Sequence, residues 1–176
     1  MFIPRPRLSQ ARFVKMRELA YNGNDEAQIT MAWAYLWGET VGADNLEADR
    51  WIAKASVSAA LATRYDIAKI ELVRSDYRDD TTMRQLAAEK YPPSIYCLAY
   101  MMLERDSSAK GKLACMPFFD LAAASGHLPA KAALLSFQIS NAPFWKKGCL
   151  VFSLAKTLLC FWLLLGTKPR DPRVYT

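Results

Sequence analysis

Apolar residues recur at intervals of three and four along most of this chain, the spacing that gathers them on one face of an α-helix. Such runs extend over Phe13–Leu19, Ile29–Trp37, Ala48–Ala55, Leu61–Leu72, Met83–Ala88, Ile95–Leu103, Met116–Ala124 and Ala130–Phe137. No segment alternates in the manner of a strand. Between the runs stand residues that stop helices or turn the chain: Asn22-Gly23, Gly38 and Gly42, Ser75-Asp76, Pro92-Pro93, Gly111, Gly126 and Asn141-Ala142-Pro143. Asp44, Asp80 and Ser94 are placed to cap the helices that follow them. The pattern predicts a series of short antiparallel helices.

The helices repeat. A shift of 67 residues superposes Ala27 on Ser94, Met31 on Leu98, Ala32 on Ala99, Trp33 on Tyr100, Tyr35 on Met102, Trp51 on Phe118 and Ala55 on Ala122 without a gap. That interval is too long for one helix pair. A shift of 36 places Ile67 and Ala68 on Met31 and Ala32 and supplies a degenerate unit between, with a shortened loop near Ser75–Asp80.

The first unit resembles the Sel-one-like repeat family, relatives of tetratricopeptide repeats, through Ala20, Gly23, Ala27, Tyr35, Gly38, Val41, Asp44, Ala48, Trp51, Lys54 and Ala55. It departs from the family pattern at Ala32, Thr40 and Ser56. The third unit keeps Ala122-Ala123, Gly126-His127 and Ala130, but has Arg105 and Gly111 where the loop glycine and aspartate would stand. The second is barely recognisable. The resemblance implies an all-α fold, a short right-handed superhelix of antiparallel helix pairs with about three repeats over residues 18–140. Alanines would let helices cross closely, and Trp51 or Phe118 would fill the space between units.

The last third reads differently. Cys149–Gly166 carries one charge, Lys156, between Lys146-Lys147 and Lys168, Arg170 and Arg173. As a helix it would be about 27 Å long, marginal for a hydrocarbon core of about 30 Å. A central Lys costs about 2.5–3.5 kcal/mol on insertion scales, which Leu158–Leu165 more than offsets. Phe144, Trp145 and Trp162 are of the type found at membrane interfaces. Residues 141–167 are thus expected to form a membrane-associated or partner-buried segment, with 168–176 a basic tail. A spanning anchor, a re-entrant segment and a helix lying in the interface all fit, as does a last solenoid helix buried against the third unit.

Charge supports the same division. The 176 residues have a net charge of +6 and are 52% hydrophobic. Residues 1–17 hold Arg5, Arg7, Arg12, Lys15 and Arg17 without an acid, and the basic C-terminal end leaves the middle net acidic. A body that bound nucleic acid would carry basic residues across itself, so no nucleic-acid partner is expected. Basic ends around an apolar segment suit membrane lipid. The N-terminus lacks the apolar run of a secretory signal, which places the repeat domain in the cytoplasm by expectation. Cys97, Cys115, Cys149 and Cys160 show no CxxC spacing and read as buried thiols rather than a metal site or a disulfide framework.

Catalytic chemistry is sparse. His127 is the single histidine, at a repeat junction where a structural role is expected. No phosphate loop, H-E-x-x-H or G-x-S-x-G motif is present. Asp25-Glu26 and Asp79-Asp80 read as helix-start charge. The expectation is a protein that is not an enzyme, with no catalytic residue, metal, cofactor or small-molecule substrate.

Binding has better candidates. In the resembling family the free face of each first helix forms a concave wall. Here that wall would carry Trp33 and Trp37, then Lys69, then Tyr96 and Tyr100, and repeated aromatics are the kind of residue that dominates interfaces. Packing between neighbouring helices would use the same aromatics. These features point to an adaptor for another protein, tethered at a membrane and by family analogy part of a machine that makes envelope polysaccharide or secretes protein. An immunity protein clasping one toxin or enzyme, and a small structural subunit of a membrane enzyme, are the alternatives.

Overall fold

The computed structural model describes residues 8–38 and 40–175, which form nine helices and no strand. Arg5 and Arg7 of the basic N-terminal segment lie outside the described residues. Two compact units meet in the sequence at Asp80 and Thr81.

The N-terminal unit holds α1 (Gln10–Tyr21), α2 (Asp25–Trp37), α3 (Asn45–Ala55) and α4 (Leu61–Arg74). Ser9, Asn24 and Asp44 cap the first three helices by accepting backbone N–H bonds, which meets donors a helix start leaves open. α2 packs on α1, α3 and α4. Its crossings run over Ala27, Ala32, Ala48 and Ala55, none more than 1% exposed. Trp51 closes the space beside them, edge-on to Tyr21 at 5.1 Å and under the Lys54 ammonium at 4.2 Å. Asp25 does more than charge a helix start: its carboxylate accepts from the Ser58 hydroxyl at 3.0 Å and from Thr63 at the start of α4.

The C-terminal unit holds α5 (Thr81–Ala88), α6 (Pro92–Arg105), α7 (Ala109–Ala124), α8 (Leu128–Asn141) and α9 (Phe144–Thr167). Each packs on the next in chain order. The core of α6, α7 and α8 is Ile95, Ala99, Cys115, Phe119, Ala122, Ala130 and Leu134. α9 pairs with α8 across a link of Ala142 and Pro143. Residues 168–175 then turn back to the start of α8, burying Val174.

Five expectations need correction. Pro92-Pro93 opens α6 rather than breaking the chain, because proline at the first helical turn gives up no bond and has its φ preset. Ser94 therefore lies inside the helix instead of capping it, and its buried hydroxyl donates to the Tyr91 carbonyl at 2.7 Å. Phe118 is 37% exposed and Phe119 is buried. Between the interior positions Cys115 and Ala122 a helix offers two inward sites, and α7 uses the later one where α3 uses the earlier for Trp51. Gly111 lies within α7 instead of a loop, and a Cβ there would collide with the Asp106 carbonyl. Cys97 and Cys115 are buried as expected, whereas Cys149 and Cys160 stand exposed on α9.

Gly38 ends α2 with φ +67°, and an added Cβ would lie 2.8 Å from the Ala43 nitrogen. Gly42 has open space around it. Gly38→Ala should therefore cost about 1–3 kcal/mol in chemical denaturation, and Gly42→Ala should stay within about 0.5 kcal/mol of the parent.

Candidate functional site

The C-terminal unit carries an open groove of about 290 Å³ between α6 and α8. Tyr96, Tyr100 and Leu103 line it from α6. Ala133, Ser136, Phe137 and Ser140 line it from α8, and Phe119 of α7 forms its floor. The rings are in register. Tyr96 lies 6.3 Å from Tyr100, 5.8 Å from Phe119 and 4.8 Å from His127, and Phe119 lies 6.1 Å from Phe137, centroid to centroid.

Polar atoms in the groove are largely committed. The Ser136 and Ser140 hydroxyls donate to carbonyls of their own helix, Ala132 at 2.9 Å and Ser136 at 3.0 Å. Burial raises the Tyr96 phenol above its ordinary value, and a hydrogen bond with Glu104 does the same for Tyr100. Both stay neutral at physiological pH. An apolar trough with aromatic walls holds an apolar or aromatic side chain well and offers no nucleophile paired with a base.

The other expected wall residues belong to the N-terminal unit. Trp33 is 7% exposed in its core and stacks on the half-buried Trp37 at 4.3 Å. Lys69 is also buried, with its ammonium 3.1 Å from Asp66 and over the Tyr65 ring at 4.9 Å. Trp33 and Lys69 are thus enclosed within α2 and α4, which reserves them for packing and a buried ion pair. Among the expected binding residues, Tyr96 and Tyr100 are brought together on an open groove.

His127 is fully buried and caps α8. Its Nδ1 accepts the Ala130 N–H at 3.3 Å, and its Nε2–H donates to the Tyr175 carbonyl at 3.1 Å. The adjacent Leu128 N–H donates to the Arg173 carbonyl at 2.7 Å. The tail is ordered by its own charges as well: Asp171 binds the Arg173 guanidinium at 2.7 Å, which lowers its carboxyl to about 2. Sequence reasoning did not anticipate this docking. The available signal was Val174-Tyr175, an apolar pair ending an otherwise polar tail.

α9 is 24 residues long and apolar enough to cross a membrane by length and composition. Its inward side chains are Leu150, Ser153, Leu154, Thr157, Phe161, Leu164 and Leu165, with Thr157 the buried one. The opposite side is bare: Phe144 is 90% exposed, Trp145 78% and Trp162 65%. Lys156 is exposed too. Among the described residues, no group of three or more His, Cys, Asp and Glu could hold a metal ion.

Comparison with family models, with curated proteins and with solved structures finds no match for this chain.

Burial depresses the His127 imidazole from 6.5 to about 4, against the smaller opposing effect of its bond to Tyr175. The unfolded chain binds this proton more readily. Its contribution is complete above pH 6.5 and is lost as pH falls towards 4, a change of about 3 kcal/mol in unfolding free energy. Protonation would also set an Nδ1–H against the Ala130 N–H. His127→Asn retains a capping acceptor without the titration, so equilibrium unfolding between pH 7 and 4 should show a flatter acid slope for this variant than for the parent.

Proposed function

We propose that this chain is a non-enzymatic adaptor that holds a partner protein in the α6–α8 groove and is kept at a membrane by α9. The observation that carries the proposal is the pairing, on one compact unit, of an open aromatic groove with a helix whose outer side is apolar and uncovered. Soluble monomers rarely leave so much contiguous apolar surface bare. The groove suits recognition because its tyrosines combine a large apolar body with a hydroxyl rim and lose little entropy on binding.

The repeat reading supports the same role. α2, α4 and α6 begin at Asp25, Leu61 and Pro92, the spacing that the sequence shifts require of three first helices. Sel-one-like units, which the first unit resembles, serve as scaffolds for partners. His127, the natural candidate for a base, has both ring nitrogens engaged within the fold.

Tyr100 is half-buried at the groove's edge, so Tyr100→Ala should leave the fold intact. Full-length protein captured with its partner from detergent-solubilised membranes should lose partner recovery about tenfold or more on Tyr100→Ala, the scale of a hot-spot truncation. Leu113, 73% exposed on α7, provides the control: Leu113→Ser should change nothing. Unchanged recovery with both Tyr100→Ala and Phe137→Ala removes the groove as the binding site.

A further inference from the structure

The helix that is long enough to cross a membrane is held at both ends by the same folded unit. Its N-terminus follows α8 after two residues. Its C-terminal tail returns to the start of α8, where the Arg173 and Tyr175 carbonyls accept from Leu128 and His127 and Val174 is 1% exposed. A crossing helix puts its two ends on opposite sides of the bilayer. α9 could do so only by surrendering the tail contacts and carrying Lys168, Arg170 and Arg173 through the hydrocarbon. It would also place Lys156 near mid-bilayer.

The geometry points to a different placement, which rests on the membrane reading above: α9 lies in the plane of an anionic phospholipid surface, with its outer side pressed into the interface and the rest of the unit on the water side. At 3.6 residues per turn, Phe152, Ala155, Leu159 and Trp162 fall within about 40° of the direction opposite Thr157. Phe152, Leu159, Trp162 and Leu163 are 61–75% exposed and form a continuous apolar strip. An ordinary interfacial helix has a polar face to offer water. Here α8 packs along that side instead and buries Thr157.

Charge identifies the surface. Lys156 projects about 100° from Thr157, at the edge of the strip, where its stem can follow the apolar surface and its ammonium reach a phosphate. Lys146, Lys147 and Lys168 are exposed at the two ends, and residues 140–170 contain no Asp or Glu. A second copy of this chain would have to cover the strip while bringing these cations together. A lipid surface of opposite charge satisfies both features at once.

The test uses the full chain with Cys149→Ser and Cys160→Ser, and with Ala155→Cys carrying an environment-sensitive fluorophore, since Cys97 and Cys115 are buried. Preformed phosphatidylcholine vesicles are compared with and without phosphatidylglycerol. The expected result is binding at least about tenfold tighter to the anionic vesicles, with stronger quenching by lipids labelled near the headgroup than by lipids labelled at the acyl terminus. Lys146→Glu with Lys147→Glu should remove most of that preference. Stronger quenching at the acyl terminus means that α9 crosses, which overturns the in-plane placement and leaves the membrane reading standing. Equal affinity for both vesicles overturns the anionic surface. Binding to neither, or a lipid-free dimer that buries the label and ignores vesicles, overturns both.

Discussion

Close crossing of helices at alanine is the constraint on which the other features rest. In the N-terminal unit Ala27, Ala32, Ala48 and Ala55 are virtually inaccessible, as are Ala99, Ala122 and Ala130 in the C-terminal unit. A side chain of one methyl lets two backbones approach closely, but it fills little volume. The gaps beside each crossing must then be closed by something large at a fixed phase of the helix. Trp51 does this in one unit and Phe119 in the other. Since Phe119 comes up between α6 and α8, the packing that holds α7 in place also makes the groove floor. Groove and core are one arrangement seen from two sides.

Where local chemistry decides the outcome, the sequence was readable. Each apolar run has become a helix, and Gly38 and Asp44 stop and start helices by the mechanisms their side chains suggest. Tyr96 and Tyr100 were legible as neighbours because they are one turn apart on α6, and both line the open groove. Reading failed where two local solutions were equally good. Position 118 or 119 can serve as the inward aromatic of α7, and only the approach of α8 selects between them. Pro92-Pro93 is a stop after one helix and a start for the next, and Lys90, with φ +61°, already provides the turn. Exposure of Cys149 and Cys160 was hidden for a further reason: an apolar neighbourhood in sequence implies burial only if the body has an apolar face left to offer. α8 had one narrow strip.

That strip gives α8 an unusual position. Ala133, Ser136, Phe137 and Ser140 face the groove, while its other flank carries α9. A single helix of 14 residues therefore separates the groove from the uncovered apolar surface. With helix axes about 8–10 Å apart, the groove and the outer side of α9 lie close together. The two surfaces share one element, since α8 packs on α7 and on α9 alike.

The tail contact at His127 bears on the order in which the protein is made. The first turn of α8 is completed by carbonyls up to 48 residues further along the chain. While α9 is being synthesised, the His127 imidazole and the Leu128 amide have no partner from the tail, and an entire apolar helix must be produced before one arrives. Until then no tail contact ties the far end of α9 to the start of α8. Closure of the α8 start is therefore a late event, completed when residues 173–175 fold back on it and Val174 is buried.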